Sequence, residues 1–178
     1  MKLTRREVLF FNRCLADLKR DPAVQSMRRF RKHGRTDTYH HCERVAFYSF
    51  WLARRCAPLW EDLGFRIDYR ALVRGAFLHD FYLYDWHEQE VPHKMHALVH
   101  PALALKNASE HFSITPREAD IIRNHMWPLT LANYPRSIEA FLVTLTDKAS
   151  SVGETFLCCG KRAARDAIHR ANCAQMSR

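Results

Sequence analysis

Six side chains of two chemical kinds recur along this chain: His41, the adjacent pair His79-Asp80, His100, His125 and Asp147. Imidazole and carboxylate together suit first-row transition metals such as iron, manganese or zinc. An enzyme that hydrolyses phosphate esters with two metals needs such a set. Each residue lies in or beside a segment that reads as helix. A carboxylate in apolar surroundings is costly unless it is paired or metal-bound. That applies to Asp147, inside an apolar helix, and to Asp80, which follows Ala76-Phe77-Leu78. Any one of these residues alone reads as a satisfied core histidine or a helix cap. The ordered set is what points to a metal centre.

The elements that must bring these residues together are helices. Residues 3–19 carry Leu3, Val8, Phe11, Leu15 and Leu18 at helical intervals. Asp21-Pro22 stops that segment and starts another, which Gly34 closes. Thr36-Asp37-Thr38 offers N-caps for a long helix from about Tyr39 to Cys56. On it His41, Val45, Tyr48 and Leu52 form the inward stripe, and His40 points elsewhere. Asp68 caps a helix that runs to His79-Asp80, and the aromatic segment Phe81 to His87 reads as an irregular loop. Pro101 at a first helical position makes His100 an N-cap. Thr115-Pro116-Arg117-Glu118 fits a capping box, and the helix after it puts Glu118, Ile121, Ile122 and His125 on one face. A last helix from about Arg136 to Gly153 is apolar nearly all round, which predicts a buried, central position. No alternating strand pattern of useful length appears. We expect one all-α domain over residues 1–178.

Three motifs carry a family likeness: His41-Cys42-Glu43-Arg44-Val45-Ala46, Gly75-Ala76-Phe77-Leu78-His79-Asp80 and Leu145-Thr146-Asp147-Lys148. In them the chain resembles the HD-domain superfamily of metal-dependent phosphohydrolases over residues 36–152. A helical extension (1–35) and a basic helical tail (154–178) flank that core. The resemblance implies an HD-domain-like helical bundle in which His41, His79, Asp80 and Asp147 hold one divalent ion. In two-metal members, further histidines between the HD pair and the last Asp hold a second ion. His100 and His125 occupy that interval, and Asp80 would bridge both ions. In a one-metal arrangement they would be structural. Iron or manganese is favoured, with zinc and magnesium also suitable. The segments Leu78 to His87 and His125-Met126-Trp127-Pro128-Leu129 are similar to a bacterial HD subgroup that brings no substrate with it. Neither the guanosine-tetraphosphate signature nor the Gly-Tyr-Pro segment of cyclic-dinucleotide phosphodiesterases occurs.

The expected reaction is hydrolysis of a phosphate mono- or diester, nucleotide-like, through a metal-activated water. Asp80 and Lys148 are the candidate catalytic residues. Arg44, Lys94 and His96 are candidates to bind the substrate phosphate. His87, His93 and His96 are either general acids or ordinary loop residues, and Trp86 and Trp127 either wall a base pocket or belong to the core. Two other classes stay open: a non-catalytic, metal-stapled nucleic-acid-binding module, and a di-iron HD-type oxygenase. A nucleophilic Cys42 beside His41 is disfavoured, because neighbours in a helix do not face each other.

The formal charge is +9, much of it from Arg28 to Arg35 and from the basic tail. It favours an anionic partner, whether a small phosphorylated substrate or nucleic acid on the basic surface, unless those residues are simply a solvated face. The six cysteines form no CxxC pair and read as reduced thiols. The N-terminal apolar run is too short for a secretory segment, and no run spans a bilayer, so a cytoplasmic protein without membrane partners is expected.

Overall fold

In a computed structural model the described residues are 3–33, 36–84 and 93–155. The first helix, α1 (Arg5–Leu15), starts at a reciprocal cap between Thr4 and Glu7 and buries Phe11, Cys14 and Leu15. A short α2 (Pro22–Ser26) follows, capped by Asp21. The long α3 (Thr38–Arg55) is capped by Asp37, whose carboxylate accepts from the His40 amide. Next come α4 (Ala57–Asp62), α5 (Tyr69–Leu78), α6 (His93–His111), α7 (Pro116–Asn124) and α8, residues 138–155. The fold is all-α, with one core. Val45, Ala46, Phe50 and Ala53 of α3 meet Leu72, Val73, Ala76 and Phe77 of α5, with Ile121 and Ile122 of α7 and Ala140, Leu142 and Val143 of α8 in the same cluster.

Polar ties set the helices in register around that core. Ser49 of α3 and Thr146 of α8 share a hydrogen bond of 2.6 Å between their buried hydroxyls. Glu139 of α8 accepts from the Asp68 amide at the start of α5 and from Arg117 of α7. Arg74 of α5, nearly fully buried, donates to Glu118 of α7, to Asp17 and to the Cys14 carbonyl. Glu118 also closes the reciprocal cap with Thr115, so one side chain both starts α7 and anchors it to α5.

Several sequence expectations change. Residues after Pro22 do not make one helix to Gly34. They make α2, a 3-10 turn at Met27–Arg29 and a strand, β1 (Arg31–His33), paired antiparallel with β2 (Thr36–Asp37). These strands are too short for alternation to show. His100 is not an N-cap, because α6 begins at His93 and Pro101 lies inside it. A proline at a first turn and one within a helix look alike when a polar residue precedes them. On α3, Tyr48 is 47% exposed and Ser49 points inward. The hydroxyl pairing with Thr146 makes Ser49 a buried position that hydrophobic patterning does not detect. Helix α8 is not buried all round, since Phe141, Leu145 and Val152 are exposed along one side. The short α4, with Pro58 in its first turn, was not foreseen.

The close approach of α5 and α7 depends on Gly75. A Cβ there would stand 2.8 Å from Ile121 Cδ1 and 2.9 Å from Ile121 Cβ. The second contact is to an atom fixed to the backbone, so rotation of Ile121 cannot relieve it. Gly75→Ala is expected to push the two helices apart at a cost of about 1–3 kcal/mol. Thermal denaturation will show this as a lower midpoint. An unchanged midpoint would mean that the helices have room to spare.

Candidate metal centre

Helix ends build this centre. His79 is the C-cap residue of α5, and His125 is the C-cap residue of α7. The last turn of a helix leaves carbonyls without intrahelical partners. Each histidine satisfies one: His79 Nδ1 donates to the Ala76 carbonyl at 2.7 Å, and His125 Nδ1 donates to the Ile122 carbonyl at 2.8 Å. In the neutral ring the bond fixes the tautomer and leaves Nε2 with a free lone pair. The negative ends of both helix dipoles also point at the site, which favours cations there.

The other donors arrive from α3, α6 and α8. His41 lies in the first turns of α3, His100 inside α6, Asp147 inside α8, and Asp80 directly after α5. All six sequence-predicted ligands are buried. Asp80 lies between two groups. Its Oδ2 stands 3.2 Å from His79 Nε2 and 3.8 Å from His41 Nε2. Its Oδ1 stands 3.2 Å from His100 Nε2 and 3.8 Å from His125 Nε2. Asp147 Oδ1 completes the first group, 3.0 Å from His41 Nε2 and 3.6 Å from His79 Nε2. In the second group His100 and His125 bring their Nε2 atoms within 2.9 Å.

These spacings are those of ligands around an ion. Two donors held about 2.1 Å from one metal stand about 3.0–3.4 Å apart, depending on the coordination angle. The donor–donor distances fall close to that range, and in each of three overlapping triads drawn from the six residues the donor atoms lie within 4.8 Å of one another. His79 Nε2 gives the clearest sign. It is buried and makes no hydrogen bond among the described residues, although carboxylate oxygens stand 3.2 and 3.6 Å away. The buried His and Asp groups can therefore hold divalent metal.

Compared with family models, with curated proteins and with solved structures, the chain matches none. What the protein does must therefore be read from the centre itself.

Around the centre, some predicted residues have other engagements. Arg44 pairs with Glu154 at 2.5 Å. Lys148 Nζ donates to the His125 carbonyl at 3.1 Å, so it neither snorkels outward nor stands idle. An ammonium carries three protons, so Lys148 keeps donors for another group. Burial lowers its pKa, and neighbouring Asp147 opposes that shift. The side chains of Lys94, His96, His93, His87 and Trp86 lie outside the described residues. Among the described residues Trp127 is half-buried. Leu83 takes a φ of 58°, a left-handed conformation unusual for leucine, in the turn just after Asp80. Tyr82 caps that turn, its ring edge-on to His100 and its hydroxyl against Thr38. Sequence reasoning missed Glu154, which touches His41. Its signal was its place seven residues after Asp147 on the same helix, which puts both on one face.

Without an ion, protons hold the charges together. Burial opposes charge on His79, but Asp80, Cys42 and Asp147 outweigh it and raise its pKa well above the usual imidazole value. Burial drives His125 the other way, and the neighbouring His79 and His100 add to this, so its pKa lies well below the usual imidazole value. Burial raises Asp147, but its contacts with His41 and His79 win and hold it well below the usual carboxylate value. The raised His79 contributes stability that is fully present below pH 6.5 and lost as pH rises through its folded value. The depressed Asp147 contributes stability present above pH 3.8 and lost as pH falls through its folded value. Raised in this way, His79 holds its proton more tightly than a free imidazole does, and an entering cation must compete with that proton. Manganese added to ion-free protein at pH 7 should release protons, read as calorimetric heats that change with buffer ionisation enthalpy, and the affinity should rise with pH. Binding heats that do not depend on the buffer would contradict this.

Proposed function

We propose that this chain is a metal-dependent phosphohydrolase of the HD type, acting on a phosphate mono- or diester of nucleotide-like character. One observation carries the reading: the two oxygens of Asp80 face two different pairs of imidazoles. A carboxylate so placed could offer one oxygen to each of two ions, and a two-ion site can assist in-line displacement at phosphorus. Iron or manganese suits a nitrogen and oxygen donor set without thiolate.

When bound, divalent ions acidify water toward a pKa of about 7 and offset charge on phosphoryl oxygens. The rest falls to the chain. Asp80 and Asp147 bring two negative charges to the six-donor set, and the four histidines bring none when neutral. Two divalent ions would leave the centre net positive, which suits an anionic ester. Lys148 adds a cation beside Asp147, anchored on the His125 carbonyl. Tyr82, buried in the turn after Asp80, packs its ring edge-on to His100.

The test uses p-nitrophenyl phosphate, bis-p-nitrophenyl phosphate and a panel of nucleotides. Ion-free protein should be inactive, and manganese should restore hydrolysis of at least one compound. Protein that holds its ions yet hydrolyses none of them would overturn the phosphohydrolase reading. Oxygen consumption by the iron-loaded form would favour oxidation instead.

A further inference from the structure

Glu154 lies outside the six-donor set, yet it is nearly as buried as the donors, with a side chain 3% exposed. We propose that Glu154 is a positioning residue for the ion nearest His41, and that Arg44 holds Glu154 in place. The proposal rests on the metal reading of the cluster.

The reason lies in where His41 sits. His79 and His125 stand at helix ends, where spare backbone carbonyls fix their tautomers. His41 lies within α3, which runs Thr38–Arg55, where neighbouring carbonyls are committed to the helical ladder. Its Nδ1 must find an acceptor elsewhere. Both oxygens of Glu154, 113 residues away in sequence, stand 3.2 Å from it. Carboxylates only accept, so without an ion each ring nitrogen can donate, Nδ1 to Glu154 and Nε2 to Asp147 at 3.0 Å; an ion at Nε2 would replace the proton there and leave Nδ1–H on Glu154. A charged acceptor also makes that Nε2 a better donor to metal than a backbone carbonyl does.

A buried carboxylate needs a counter-charge of its own. Arg44, one turn after His41 on α3, supplies it through Nη1 on Glu154 Oε1. Arg44 is partly exposed, its side chain 39% accessible, so the chain from ion to solvent runs His41, Glu154, Arg44. This also assigns Arg44 a role other than direct contact with substrate phosphate.

The test is manganese titration of the ion-free full chain, followed by calorimetry, for wild type, Glu154→Ala, Glu154→Gln and Arg44→Ala. Circular dichroism and thermal midpoints check that each variant folds. Glu154→Ala should weaken one of the two binding events about 10- to 100-fold and leave the other unchanged. Glu154→Gln should fall between Glu154→Ala and wild type, because its amide oxygen still accepts from Nδ1 but lacks the charge. Arg44→Ala should weaken the same event less than Glu154→Ala does. A purely structural role would lower the thermal midpoint and weaken both events together, and that result overturns the proposal. So does a folded Glu154→Ala with both affinities at wild-type values. A wild type that takes up no ion would instead overturn the metal reading itself.

Discussion

Asp80→Asn is expected to lose both ions and to lower turnover by about 1,000-fold or more, which corresponds to about 4 kcal/mol of transition-state stabilisation. The side chain keeps its volume, so the buried turn after α5 has no cavity to collapse into. What changes is the donor set. One oxygen becomes an amide NH2, which cannot ligate and which points its protons at imidazole nitrogens. In the wild type each oxygen faces a different pair, with Oδ2 toward His79 and His41 and Oδ1 toward His100 and His125. His125 also lies near the first group, within 4.8 Å of donor atoms of His79 and Asp147, but it offers one ring nitrogen to the cluster where Asp80 offers two oxygens. His125→Ala and Asp147→Ala should therefore each affect one ion more than the other, whereas Asp80→Asn affects both. Elemental analysis and steady-state hydrolysis read the two effects separately. Full turnover by Asp80→Asn with any phosphate ester would contradict the mechanism.

Removing the ions should also cost stability. The cluster joins α3, the ends of α5 and α7, α6 and α8, so the unfolded chain offers no comparable site. A ligand that binds only the folded state at a thousand times its dissociation constant stabilises it by about 4 kcal/mol. For a chain of this size each kcal/mol moves the midpoint by about 2–4 °C. Chelation should thus lower the thermal midpoint by about 8–16 °C, and manganese should restore it. Asp80→Asn should melt at one temperature with or without chelator. Differential scanning calorimetry decides this. A wild type whose midpoint ignores both chelator and manganese would show that the helices pack without help from metal.

The sequence made the helices readable where local chemistry is unambiguous. The Thr115 and Glu118 cap, the Asp37 and Asp68 caps and the apolar faces of α5 and α7 all act within a turn of themselves. It was less readable where a long-range partner decides. Ser49 turns inward because Thr146 lies opposite, and α6 continues through Pro101 although local signals start a helix there. The centre divides in the same way. Its six donors stand out by type and order, and their convergence in space follows from helices that local signals largely predict. Glu154 does not stand out, because an acidic residue on a helix is usually solvated. Only the packing of α8 against α3 makes it the partner of His41. Arg44 and Lys148 were visible as cations near the site, but their partners, a carboxylate 110 residues away and a backbone carbonyl, were not.

Anomalous diffraction from crystals of manganese-loaded protein tests the central claim most directly. Two peaks should flank Asp80, one among His41, His79 and Asp147 and the other between His100 and His125. A map with no peak beside Asp80, under conditions where manganese binds elsewhere on the chain, would contradict it.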